Sequence, residues 1–105
     1  MCKNVRDVSA LGNIHTLNLR CCTNVSNVSF LGNVYDLNLS ETYVSDVSAL
    51  GNVHTLNLSH CYRIKDVSAL GNVHTLNLLE CNNVFDLSAL RNVHKWTFKK
   101  SLGFY

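Results

Sequence analysis

At 105 residues the chain is one domain at most, and its hydrophobic fraction of 47% excludes an intrinsically disordered polymer. A formal charge of +2 is too small to imply nucleic acid or an anionic membrane as partner. No apolar run approaches the roughly 18 residues that span a bilayer, and the N-terminal MCKNVRDVS lacks the apolar core of a signal peptide.

These exclusions leave the expectation of a soluble chain whose information lies in its repetition. The segment DVSALGNVHTLNL occupies residues 46–58 and recurs unchanged at 66–78. A copy at 7–19 differs only at Ile14, and looser copies begin at Asn27 and Asp86. The starts at 7, 27, 46, 66 and 86 set a period of twenty residues with one unit of nineteen. A fixed period in this range signals a solenoid, in which each unit buries its apolar face only against its neighbours.

In chain order, residues 1–13 read as a partial repeat, because Cys2 and Val5 match Cys61 and Ile64 while the strand before them is missing. Full repeats start at 14, 34, 53, 73 and 93. In the third, Val53, Leu56 and Leu58 are apolar and Thr55 and Asn57 alternate with the last two, which predicts a short strand. Cys61 and Ile64 continue the inward set. Asp66 precedes Val67 and Leu70 as the cap of a short helical or 3-10 turn. Gly71 closes that turn, with positive φ available at little steric cost. Glycine recurs at 12, 32 and 51, and Arg91 replaces the fifth.

The other repeats place Leu17, Leu19, Cys22 and Val25 inward after Ile14, and Leu37, Leu39, Thr42 and Val44 after Val34. Leu76, Leu78, Cys81 and Val84 follow Val73, and Trp96, Phe98 and Ser101 follow Val93. Apolar pairs such as Val28 with Leu31 and Val47 with Leu50 pack from the convex side. Trp96, Phe98, Phe104 and Tyr105 are a candidate cap for the last rung.

The pattern V-x-x-L-x-L-x-x-C-x-x-I resembles the leucine-rich repeat of a short, roughly twenty-residue class, over essentially the whole chain. The resemblance implies an α/β repeat: one right-handed solenoid domain over 1–105, with about five short parallel strands on the concave face. Short 3-10 turns or loops would form the convex face. It further implies that Cys22, Cys61 and Cys81 point inward and hydrogen-bond the backbone, with Thr42 and Ser101 as substitutes. Five cysteines, an odd count without a signal peptide, predict free thiols in a reducing, cytoplasmic setting. Cys21 falls outside the cysteine column and is the more exposed thiol.

The fold class serves many functions, so function rests on side chains. No HExxH, GxSxG or glycine-rich phosphate loop is present, and the expectation is a non-catalytic protein-interaction module without cofactor or metal. The alternative is a metal site in the column His15, His54, His74 and His94, where Tyr35 takes the second rung; copying a repeat does not by itself supply coordination geometry. Partner-binding candidates lie where the repeats diverge. Arg20, Glu41, Tyr43, His60, Tyr62, Arg63 and Glu80 face outward after the strands, beside Tyr35 and the amides of Asn38, Asn57 and Asn77. That amide column, with Asn18, is expected to stay available to ligand. The other, Asn13, Asn33, Asn52, Asn72 and Asn92, is expected to ladder onto the backbone. Lys95, Lys99 and Lys100 are a thin footprint for nucleic acid. Strand edges at the ends recruit other chains unless blocked, which predicts a monomer–homodimer equilibrium through the N-terminal edge or an aggregation-prone monomer; a fragment of a longer array with a purely structural role is the remaining alternative.

Overall fold

The computed structural model describes residues 14–99. Each repeat contributes one strand: β1 (Thr16–Asn18), β2 (Asp36–Asn38), β3 (Thr55–Asn57), β4 (Thr75–Leu79) and β5 (Lys95–Lys99). The five form one parallel sheet in sequence order. Register follows the repeat: Leu17, Leu37, Leu56, Leu76 and Trp96 stand side by side. Consecutive parallel strands require the chain to return behind the sheet after each one, which makes the coil. Among the described residues three 3-10 turns lie on the return, at Ser48–Leu50, Ser68–Leu70 and Ser88–Asn92.

The alternation inferred from sequence defines the core. Leu37, Leu39, Leu56, Leu58, Leu76 and Leu78 are buried, and Val28, Leu31, Val47, Leu50, Val67, Leu70 and Leu90 close over them from the turns. The ends differ. Ile14 is 37% exposed and Trp96 is 39% exposed at an inward position where Leu56 and Leu76 are 1% exposed. Among the described residues an end rung has a neighbour on one side only. The expected roles of residues 1–13, Lys100, Ser101, Phe104 and Tyr105 lie outside the described residues.

Two backbone expectations change. Gly51 and Gly71 close their turns at φ −63° and ψ −19°, in the ordinary right-handed region, not with positive φ. Glycine is needed there for close approach: a Cβ on Gly51 would sit 2.6 Å from the Ala69 carbonyl oxygen of the next rung. Positive φ falls instead on Cys21, Glu41, His60 and Glu80, at 59–61°. In that conformation the amide of Glu41 donates to the Ser59 carbonyl at 2.9 Å and that of His60 to the Leu79 carbonyl at 2.8 Å. The turn thereby carries the inter-rung ladder past the strand end.

The aspartates act one residue earlier than a cap. The positions flanking the 3-10 turns are Val47, Val67 and Leu87, none with a side-chain cap. Asp46, Asp66 and Asp86 accept from the backbone amides of Ser48, Ser68 and Ser88 at 3.0, 2.8 and 3.0 Å.

Candidate interaction surface

Opposite the leucines, each strand presents at least two side chains on the sheet's open face, and β4 and β5 add Leu79 and Lys99 as a third. One column is Thr16, Asp36, Thr55, Thr75 and Lys95; the other is Asn18, Asn38, Asn57, Asn77 and Thr97. The second column reverses an expectation. Asn18, Asn38, Asn57 and Asn77 each accept, through Oδ1, the amide of the residue two further on, all at 3.0 Å. Asn38 also accepts from the Ser40 hydroxyl at 2.7 Å. An Asx turn of this kind satisfies the amide where the chain leaves the strand. Asn33, Asn52, Asn72 and Asn92 are instead exposed and make no side-chain hydrogen bond among the described residues. A ligand at Asn38, Asn57 or Asn77 would meet the amide nitrogens, because the oxygens are engaged.

Just ahead of the strands runs a column of stacked rings. His15, Tyr35, His54, His74 and His94 lie face to face with centroids 4.4–4.7 Å apart and planes within 20°. The Nδ1 atoms of His15, His54 and His74 contact the hydroxyls of Thr16, Thr55 and Thr75 at 3.1, 3.0 and 2.9 Å. Imidazole lone pairs lie in the ring plane, so parallel rings at this spacing do not aim them at a common point about 2.0–2.1 Å away. The stack is therefore poorly shaped for a shared metal. Among the described residues no group of three or more histidine, cysteine or acidic side chains is arranged to hold one.

The turns after the strands hold the other candidates, and the coil brings them together across repeats. The Arg63 guanidinium lies 4.5 Å above the centre of the Tyr43 ring. His60 meets the Tyr62 ring edge-on at 6.1 Å, with Nδ1 3.2 Å from the hydroxyl. The Asn83 amide donates to the Tyr62 carbonyl. Tyr43 and Tyr62 remain 49% and 51% exposed. Arg20 pairs with Glu41 at 3.3 Å, and the Cys21 thiol donates to the same carboxylate at 2.7 Å. The Cys21 hydrogen bond, then the Arg20 charge, holds the Glu41 carboxyl below its ordinary value, and the same bond pushes the Cys21 thiol up. Glu80 occupies the positive-φ position of its turn without joining a cluster. Phe85 (77%) and Phe30 (58%) are also exposed; Phe30 stands where the exact repeats have the alanine of the 3-10 turn, the signal by which it is legible in sequence.

The cysteine column is structural, as the repeat resemblance implies. Cys61 and Cys81 are fully buried and donate to the Leu39 and Leu58 carbonyls at 3.1 and 3.0 Å. Thr42 does the same to Leu39 at 2.7 Å and sits 3.7 Å from Cys61 Sγ. Burial pushes the Cys61 thiol up and the Cys81 thiol up to about 12. The expectation of free thiols holds for Cys21, Cys61 and Cys81. It fails for Cys22, which is disulfide-bonded.

No protein-family model matches the sequence, and no curated protein is detectably similar to it. Solved structures do match. An internalin C2 from Listeria monocytogenes aligns over 92% of this chain and 57% of its own, at 21% identity and TM-score 0.55. The functional domain of InlJ from the same organism, which includes a cysteine ladder, aligns over 90% of this chain and 27% of its own, at 17% identity and TM-score 0.50. With five parallel strands in register, the chain has the leucine-rich-repeat solenoid fold. It spans little more than half of the internalin C2 structure and about a quarter of the InlJ domain.

Proposed function

We propose that the chain is a non-catalytic module that binds another protein through the concave sheet face and the adjoining rim of turns. The observation that carries this reading is the rim cluster Tyr43–Arg63 with His60–Tyr62, half-exposed yet already held in place. Tyrosine and arginine are the types enriched among residues that dominate binding energy. Side chains fixed before binding lose less freedom on association. The internalin likeness supports the solenoid that presents this rim. Nucleic acid and membrane are not proposed as partners, since Lys95 and Lys99 face the open side with little further positive charge.

The test is affinity capture from native lysate with the full chain, comparing wild type with Tyr62→Ala and Arg63→Ala. A specific protein is expected to be retained by wild type and depleted by both substitutions. Retention of every captured protein by both variants would remove the rim from the proposal.

A second reading, self-association through the ends, is favoured by the partial exposure of Ile14 and Trp96 at core positions. Lysines at positions 95 and 99 discourage strand pairing at β5, which directs a homodimer to the N-terminal end. Sedimentation at increasing concentration tests it, and a constant monomer mass would count against it.

A further inference from the structure

The ring column does more than link the repeats. His54, His74 and His94 occupy three consecutive rungs, with centroids 4.4 Å and 4.5 Å apart, while Tyr35 separates His54 from His15. Stacking presses each imidazole face against the next, so no water lies between neighbours at these separations. At His54 and His74 the threonine hydroxyl beside Nδ1 serves either tautomer and the imidazolium alike, because a hydroxyl both donates and accepts. Opposition to protonation of His74 therefore comes from the rings stacked on either side of it.

The open face supplies no counter-charge at those rungs. The adjoining columns there hold Thr55, Thr75 and Lys95, then Asn57, Asn77 and Thr97. Lys95 adds a like charge beside His94, and the column's carboxylate, Asp36, lies one rung from His54 and two from His74.

We propose that the ring column is a proton-responsive seam: neutral, it ties the repeats together along one margin of the sheet; protonated on consecutive rungs, it repels itself and loosens the repeats of β3, β4 and β5. This holds whatever the face binds. Lost solvation, then the charges of His54 and His94, lowers the His74 imidazole from the ordinary value of 6.5. For a base so lowered, the stabilising contribution is complete above the unfolded value near 6.5 and is lost as pH falls through the folded value. The window of response is thus mildly acidic.

The substitution that tests the seam is already present in the fold, since Tyr35 stacks in the column with a phenol ring in place of an imidazole. Imidazole NMR titration of the full chain is expected to give a His74 midpoint below 6.5 that moves upward in H54Y/H94Y. Thermal melts at about pH 7.5 and about pH 5.5 are expected to show a loss of melting temperature in wild type that shrinks in H54Y/H74Y/H94Y. His60→Gln, outside the column, is expected to leave the loss unchanged. A wild-type His74 midpoint at or above 6.5 overturns the proposal even if the variants do not fold. Equal acid loss in wild type and a folded triple variant overturns it too.

Discussion

Replacing Gly51 with alanine is expected to destabilise the protein, although its backbone conformation suits alanine. The added Cβ would lie 2.6 Å from the Ala69 carbonyl oxygen, where ordinary non-bonded contact needs about 3.5 Å. The obstacle is backbone, so no rotamer change relieves it and two rungs must separate by most of an ångström. Overpacking of this kind costs about 1–3 kcal/mol. At φ −63° alanine is unstrained, and the lost freedom of the unfolded chain offsets about 0.4–1 kcal/mol. The net expectation is a loss of about 1–2 kcal/mol, read as a lower urea midpoint at unchanged slope. Gly71→Ala, with 2.9 Å to the Ala89 oxygen, is expected to lose less. Arg91 holds the same turn position in the last described repeat, and Arg91→Ala is expected to change stability by less than about 0.5 kcal/mol. A Gly51→Ala protein as stable as wild type would refute the reasoning, since it would mean that the rungs part without resistance.

Two further outcomes follow from named hydrogen bonds. Glu41→Gln removes the carboxylate that raises the Cys21 thiol, so alkylation of Cys21 at neutral pH is expected to accelerate, while buried Cys61 and Cys81 stay unlabelled until the chain unfolds; mass spectrometry of the labelled chain reads both. Hydrogen bonding from the Ser48 backbone lowers the Asp46 carboxyl, and bonding from the side chains and amides of Ser68 and Ser88 lowers Asp66 and Asp86 from their ordinary 3.8. Their stabilisation is present above that value and is lost as pH falls through the lower folded values. Melting between about pH 5 and about pH 2 is therefore expected to fall more steeply in wild type than in an Asp→Asn triple variant, and parallel curves would show that these bonds do not contribute.

The core and its order were legible in the chain alone. Alternation at Leu56 and Leu58, repeated every twenty residues, is a local signal, and stacking like on like satisfies it without long-range choices. The inward roles of Thr42, Cys61 and Cys81 were legible for the same reason, since one repeat position imposes one environment. Relations between rungs emerge only once the chain is coiled. Gly51 is explained by an oxygen eighteen residues away, so its role was misread as conformational. The two asparagine columns look alike in one dimension, and the turn geometry selects Asn38 and Asn57 for backbone bonding. Positive φ at Cys21, Glu41, His60 and Glu80 is masked by four ordinary residues, because inter-rung amide bonds hold that conformation rather than any side-chain preference. The pairing of Arg63 with Tyr43, and the continuous ring stack from His15 to His94, arise only when the coil brings residues a full repeat apart to within about 4.5 Å. Periodicity encodes which residues share a column, but the spacing and tilt between columns are set by packing, and the surface chemistry follows from that packing.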